Sequence, residues 1–302
     1  MKHEYLIEIT QNFFKRLEEE NVHIESLAIS DSKGLFFSHH FIEKGPRNIY
    51  SHSKSFVSLL FGIALEENLL SLDNHVVDYF KDELSEEQYQ EYYPMLLVHP
   101  LTMRSGFDES LLMMNDRVNI DNYLMFLFSH PLKRKPGERF VYSNGDTYLI
   151  CRVLEKVYKR KVLDVVYEKI LSKLDISYPV WEEDKQGHTF GASGLELTNE
   201  DMNKLGILIL NRGEYKGQRI ISEKYVDLLY KTDVPTEGWG WGNYSFQFWH
   251  TPQGNGIRAD GAFGQYTFIY PKQDIALSIQ RSEDEEQPKV VDLLVKEILL
   301  KI

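Results

Sequence analysis

Ser51-His52-Ser53-Lys54-Ser55-Phe56-Val57-Ser58-Leu59-Leu60 opens a run that is rich in Leu, Phe, Ile, Ala and Gly from Phe56 to Leu65. Read as a helix, it places residues i and i+3 on one face, so the Ser51 hydroxyl and the Lys54 amine come within hydrogen-bond reach. The first turn of a helix offers free backbone N–H groups and a positive dipole end, both favourable to developing negative charge. Apolar neighbours on most sides desolvate Lys54 and push its pKa down toward that of a useful base. The bland alternative makes Ser51 a helix N-cap and Lys54 a solvent-facing charge. A second Ser-x-x-Lys, Ser30 to Lys33, falls in a turn-rich set where both side chains are expected in solvent. Spacing alone therefore does not choose the site, and context must.

Upstream of this run, residues 26–30 and 35–41 are β-like and separated by Asp31-Ser32-Lys33-Gly34, which reads as a hairpin. The first twenty residues read as an amphipathic helix in which Leu6, Ile9, Phe13, Phe14 and Leu17 alternate with charges. Downstream, helical signals dominate to about residue 178, including residues 121–128 and, after the Pro136-Gly137 break, residues 147–158. Beyond Gly191 come helical patterns at 201–211 and 222–230, with a tight turn at 213–217 between them. Strand-like runs follow at 244–250, 266–270 and 275–280, and residues 290–302 close the chain as a helix. The expected fold class is α/β (α+β): an antiparallel sheet flanked by N- and C-terminal helices, built from residues 1–48 and 190–302. Residues 49–189 form an inserted all-helical lobe, with the active site at the interface.

Tyr142-Ser143-Asn144 is the chain's one Tyr-x-Asn among 18 tyrosines, and it follows Pro136-Gly137 and Phe140-Val141. A phenol beside a lysine can relay the hydroxyl proton of Ser51 and later protonate a leaving group. Asn144 could orient Lys54 or a substrate carbonyl. The plainer reading of Tyr142 is a loop tyrosine capping the edge of a core.

Together these motifs resemble the serine β-lactamase and penicillin-binding protein superfamily, most closely its class C-like branch of esterases, D-aminopeptidases and amide hydrolases. The similarity runs on through Asn68-Leu69-Leu70-Ser71-Leu72-Asp73, Leu101-Thr102-Met103-Arg104-Ser105-Gly106, Ala192-Ser193-Gly194-Leu195 and Gly261-Ala262-Phe263-Gly264-Gln265. The resemblance implies Ser51 as nucleophile, Lys54 as the base that takes its proton, and Tyr142 as partner in acid/base work. It also implies an oxyanion hole of the Ser51 and Ala262 N–H groups and an acyl-enzyme on Ser51. Substrate-binding roles fall to Asn144, Asp260 and Gly261.

The third motif departs from the lactamase pattern of Lys-Thr-Gly or His-x-Gly, because Ala259-Asp260-Gly261 stands in its place. An aspartate repels the carboxylate that a lactamase strand grips, and it predicts instead an amine-bearing substrate. Arg258 could restore positive charge, but in a strand it points to the opposite face from its neighbour Ala259. The expected function is a serine hydrolase acting on a small ester or amide. A β-lactamase or D,D-carboxypeptidase is the first alternative, and a non-catalytic acyl-ligand-binding module the second.

The bulk numbers bound the rest. A chain of 302 residues with 42% hydrophobic and 26% charged residues has ordinary globular composition. Its formal net charge of −12 and lack of a basic cluster argue against nucleic acid. No apolar stretch approaches the roughly 18 residues of a membrane span, and the first twenty residues lack a secretory pattern, so the cytoplasm is the expected location. Cys151 is the sole cysteine and reads as a small core residue. His39, His40, His52, His99, His130, His188 and His250 lack metal-site spacing, so neither metal nor cofactor is expected. His52 lies about 100° around the helix from Ser51 and is a poor base for it. Trp239, Trp241 and Trp249, with Phe246 and Phe248, read as core and pocket wall, and residues 108–116 as a cleft rim.

Overall fold

The computed structural model describes residues 2–114, 117–281 and 287–302. In chain order the elements that frame the site are α1 (Lys2–Glu19), β1 (Ser26–Asp31), β2 (Gly34–His40), α2 (Ser53–Glu66), α3 (Asn144–Tyr158) and α4 (Asn199–Leu210). They continue with α5 (Glu223–Lys231), β3 (Trp249–His250), β4 (Ile257–Gly261), β5 (Gln265–Tyr270), β6 (Ile275–Gln280) and α6 (Gln287–Leu294). The strands form one antiparallel sheet in the order β2-β1-β6-β5-β4-β3. N-terminal and C-terminal strands meet at its centre, where Leu27 pairs with Ile279 and Ile29 with Leu277. The mixed helical and antiparallel architecture is the one expected.

Alternation along the central strands explains the layers. Leu27, Ile29, Tyr266, Phe268, Tyr270, Ile275, Leu277 and Ile279 share one face, and α1 and α6 cover it with Leu6, Ile9, Phe13, Leu17, Val290 and Leu294. The opposite face carries smaller or polar groups, Ala28, Thr267, Ala276 and Ser278, against which α4 lies. A Cβ on Gly206 of α4 would stand 2.4 Å from the Ala276 Cβ, so a small-on-small contact sets how closely this helix approaches. Asn203, also on α4, donates to the carbonyls of Ala28 and Ala276 across the same seam. On the helical side, α2 is buried at every position from Ser53 to Ala64 and packs against α3.

Three expectations need correction. The run 244–250 is not a continuous strand: Ser245 N–H donates to the Phe248 carbonyl, Gln247 adopts φ 57°, and only Trp249–His250 joins the sheet. The turn leaves the Gln247 side chain free to bond Pro100, Leu101 and Thr147 in the helical region. Ser30 is not solvated, because β1 extends to Asp31 and buries its hydroxyl, while Lys33 alone points to solvent. The closing helix ends early, passing at Val295–Leu299 into a wider turn and leaving Lys301 and Ile302 outside it. Among the described residues no helix is long and apolar enough to cross a membrane.

Replacing Gly206 with Leu should force α4 off the sheet and cost about 1–3 kcal/mol. Urea denaturation would register this as a lower midpoint with an unchanged slope.

Candidate active site

Ser51 sits in a single 3-10 turn, Tyr50–His52, that runs directly into α2. The turn is strained, since Tyr50 is held at φ 49°, a region that non-glycine residues rarely occupy. Local polar groups hold it: Asn48 Oδ1 accepts from the Tyr50 N–H at 2.8 Å, and Ser53 Oγ donates to the Tyr50 carbonyl at 2.6 Å. The helix proper therefore starts after the serine, and Ser51 stands at its open end.

Lys54 follows one turn later, and its side chain is 1% exposed. Its Nζ lies 3.0 Å from Ser51 Oγ, 2.7 Å from Asn144 Oδ1 and 2.7 Å from the Ala192 carbonyl. Burial drives the Lys54 pKa well below its ordinary value, and the nearby Arg117 charge adds to the drop. A neutral amine has two N–H donors and one lone pair. Asn144 and Ala192 can accept the two donors, which aims the lone pair at Ser51.

Asn144 begins α3, and its amide is spent on both ends: the oxygen faces Lys54, and the nitrogen donates to the Leu112 carbonyl at 3.0 Å. Ser143 caps the same helix start by accepting from the Gly145 N–H at 3.1 Å. Ala192 is delivered by a loop that crosses α3 at Gly191, where φ is +73° and a Cβ would meet the Cys151 Sγ at 2.0 Å. Cys151 is thus the fully buried core residue expected of it, and burial raises its thiol pKa far above the usual value.

The Tyr142 ring stacks with Trp239 and with Trp249, with centroids at 5.2 Å and 5.7 Å. Lys54 Nζ is 5.1 Å from the same ring. Burial pushes the phenol pKa up, while a side-chain hydrogen bond with Ser51 opposes the rise. Ser51, Lys54 and Tyr142, far apart in sequence, therefore converge.

The edge of β4 closes the other side. A Cβ on Gly261 would stand 2.2 Å from the Ile49 carbonyl, so only glycine lets this strand lie against the nucleophile turn. Ala262 follows in a short 3-10 turn and borders, with Ser51, a cavity of about 640 Å³. Met113, Tyr142, Trp239, Trp241, Trp249, Arg258 and Asp260 also line it. Met113 is the part of the expected rim that reaches the cavity, and Asn115 and Asp116 lie outside the described residues.

Arg258 is the residue that sequence reasoning undervalued. It points away from Ala259 as expected, but the face it shares at i+2 is that of Asp260, and Nε donates to Oδ2 at 3.1 Å. Its Nη1 donates to the His250 carbonyl, and its guanidinium centre lies 5.4 Å from both the Trp241 and Trp249 rings. Asp260 is therefore no isolated charge. Burial nonetheless raises its pKa, with Arg258 opposing.

His52 turns away from Ser51 and hydrogen-bonds Thr267 Oγ1 at 2.8 Å. Burial lowers its pKa to about 3, so it stays neutral. Among the described residues no three His, Cys, Asp or Glu side chains gather as a metal-ligand set.

The Beta-lactamase family model matches residues 46–297, and the chain belongs to the beta-lactamase family. A curated relative, the 6-aminohexanoate-dimer hydrolase of Paenarthrobacter ureafaciens, is 24% identical over 145 residues. That match spans 45% of this chain and 37% of the relative's length. Among solved structures, a family VIII carboxylesterase superposes with a TM-score of 0.78 at 12% identity, over 98% of this chain and 97% of that one. An octameric penicillin-binding protein homologue from Pyrococcus abyssi superposes with a TM-score of 0.72 at 19% identity, over 97% and 77% of the two chains. At such identities the structural likeness establishes the fold.

Asp146, two residues into α3, has no sequence signal of its own. It is fully buried, accepts from Ser105 Oγ at 2.7 Å on one oxygen, and burial raises its pKa to about 8. The folded state thus keeps a proton that the unfolded chain releases above its ordinary range. The associated stability is full below that range and is lost as pH climbs through about 8. Relative to Asp146→Asn, the wild type should lose stability steadily from about pH 4 to about pH 8 and no further above it. Denaturant titrations of both proteins across that range would show it.

Proposed function

We propose that the protein is a serine hydrolase that cleaves a small ester or amide through an acyl-enzyme on Ser51. The observation that carries this reading is the buried Lys54 amine, 3.0 Å from the Ser51 hydroxyl and already engaged by two acceptors. Its depressed pKa favours the neutral form, so it can take the Ser51 proton as Oγ bonds to the substrate carbonyl carbon. The carbonyl oxygen gains the negative charge, and in this reading the N–H groups of Ser51 and Ala262, both at the cavity wall, hold it.

Collapse of this intermediate breaks the bond from carbonyl carbon to the leaving oxygen or nitrogen. The leaving atom takes a proton from the Tyr142 phenol, which regains one from the Lys54 ammonium. Its raised pKa suits Tyr142 to this donor role, since the phenol stays protonated until a better acceptor arrives. Water then attacks the acyl-enzyme by the same steps in reverse, releasing the acid and restoring Ser51. A β-lactamase or D,D-carboxypeptidase reading is weaker, because Ala259 is buried where a cation would grip a carboxylate and Asp260 takes the cleft face.

Mass spectrometry after treatment with a fluorophosphonate should find one adduct, on Ser51, that Ser51→Ala abolishes. An adduct on another residue would reject the assignment. Tyr142→Phe should lower kcat about 10²–10⁴-fold on an amide. On a p-nitrophenyl ester, whose leaving group needs no proton, the loss should be much smaller. Equal losses on both would remove Tyr142 from leaving-group protonation.

A further inference from the structure

Resting on the hydrolase reading above, we propose that the substrate carries a primary ammonium group, a few carbons from the scissile carbonyl, and that Asp260 binds it. Both groups of the Arg258–Asp260 pair face the cleft, but unequally. The Arg258 side chain is fully buried behind the carboxylate, whereas that of Asp260 is 20% exposed. Arg258 takes the Oδ2 atom, and among the described residues no hydrogen bond occupies Oδ1. A ligand entering the cavity therefore meets the carboxylate first and the guanidinium only across it.

Three further features favour a cation. Trp239, half exposed, and Trp241 line the same cavity, and aromatic rings attract ammonium groups. The chain's net charge of −12 draws cationic solutes toward it. Ala259, fully buried on the far face of β4, leaves no cation exposed at the strand edge beside the nucleophile. The ammonium and the reacting carbonyl belong to one small molecule, because Asp260 immediately precedes Gly261, which packs on the nucleophile turn. The charge of Asp260 is also felt at the Tyr142 phenol across the cleft. In this arrangement Arg258 is a positioning residue that fixes which carboxylate oxygen faces the substrate.

The test compares p-nitrophenyl esters of β-alanine and 6-aminohexanoic acid with those of propanoic and hexanoic acid. Wild type should favour at least one amino ester over its neutral counterpart by about tenfold or more in kcat/KM, and Asp260→Asn should cut that ratio to about threefold or less. No preference in wild type, or one that survives in folded Asp260→Asn, overturns the proposal. Should Asp260→Asn fail to fold, tryptophan fluorescence of wild type decides: hexylammonium should titrate the cleft at concentrations where hexanol does not. Equal responses overturn the amine site. This binding readout does not require turnover, so ammonium binding without acylation of Ser51 would sink the hydrolase reading and leave the amine site standing.

Discussion

A single buried amine organises the centre of this molecule. Lys54 is almost fully enclosed, and a lysine so placed is tolerated only where its N–H groups meet acceptors. Those acceptors are Asn144 at the start of α3 and the Ala192 carbonyl on a loop held down by Gly191, which leaves the amine lone pair for the Ser51 hydroxyl on the preceding turn. Desolvation that is costly to the fold makes the amine a base at the same time. The strained turn at Tyr50 and the glycine contact at Gly191 are the local concessions that bring these groups together.

The sheet contributes the opposite wall through one strand edge. Gly261 lets β4 touch the nucleophile turn, and the strand then fixes by alternation what faces the cleft. Ala259 turns into the core, while Arg258 and Asp260 turn together toward the cavity. Change at this motif is therefore a change in the charge pattern of the wall, and the tryptophan rings around Arg258 hold that pattern in place.

Much of this was legible in residue order where the physics is local. The hairpin at residues 26–40, the amphipathic first helix and the apolar run after Ser51 each follow from periodicity and turn chemistry within a few residues. Lys54 beside Ser51 follows from helix pitch alone. The failures are equally instructive. Residues 244–250 carry strand-like composition, but Gln247 serves the helical region and breaks the run. Ser30 belongs to the strand and not to the turn, because the hairpin turn begins one residue later than its composition suggests. Alternation separates Arg258 from its neighbour at i+1, but the partner that matters lies at i+2 on the same face.

What the sequence by itself determined is the family of the fold and the candidates for chemistry, since helix and strand periods and the motif residues are properties of short segments. The tertiary structure alone decided that Tyr142 reaches Ser51, that Asn144 and Ala192 complete the shell of Lys54, and that Asp260 is backed by a buried guanidinium. These are contacts between distant segments, fixed by how α3, the loop at Gly191 and the edge of β4 pack around α2. Burial, which lowers the Lys54 pKa and raises those of Tyr142 and Asp260, does not exist until that packing is complete.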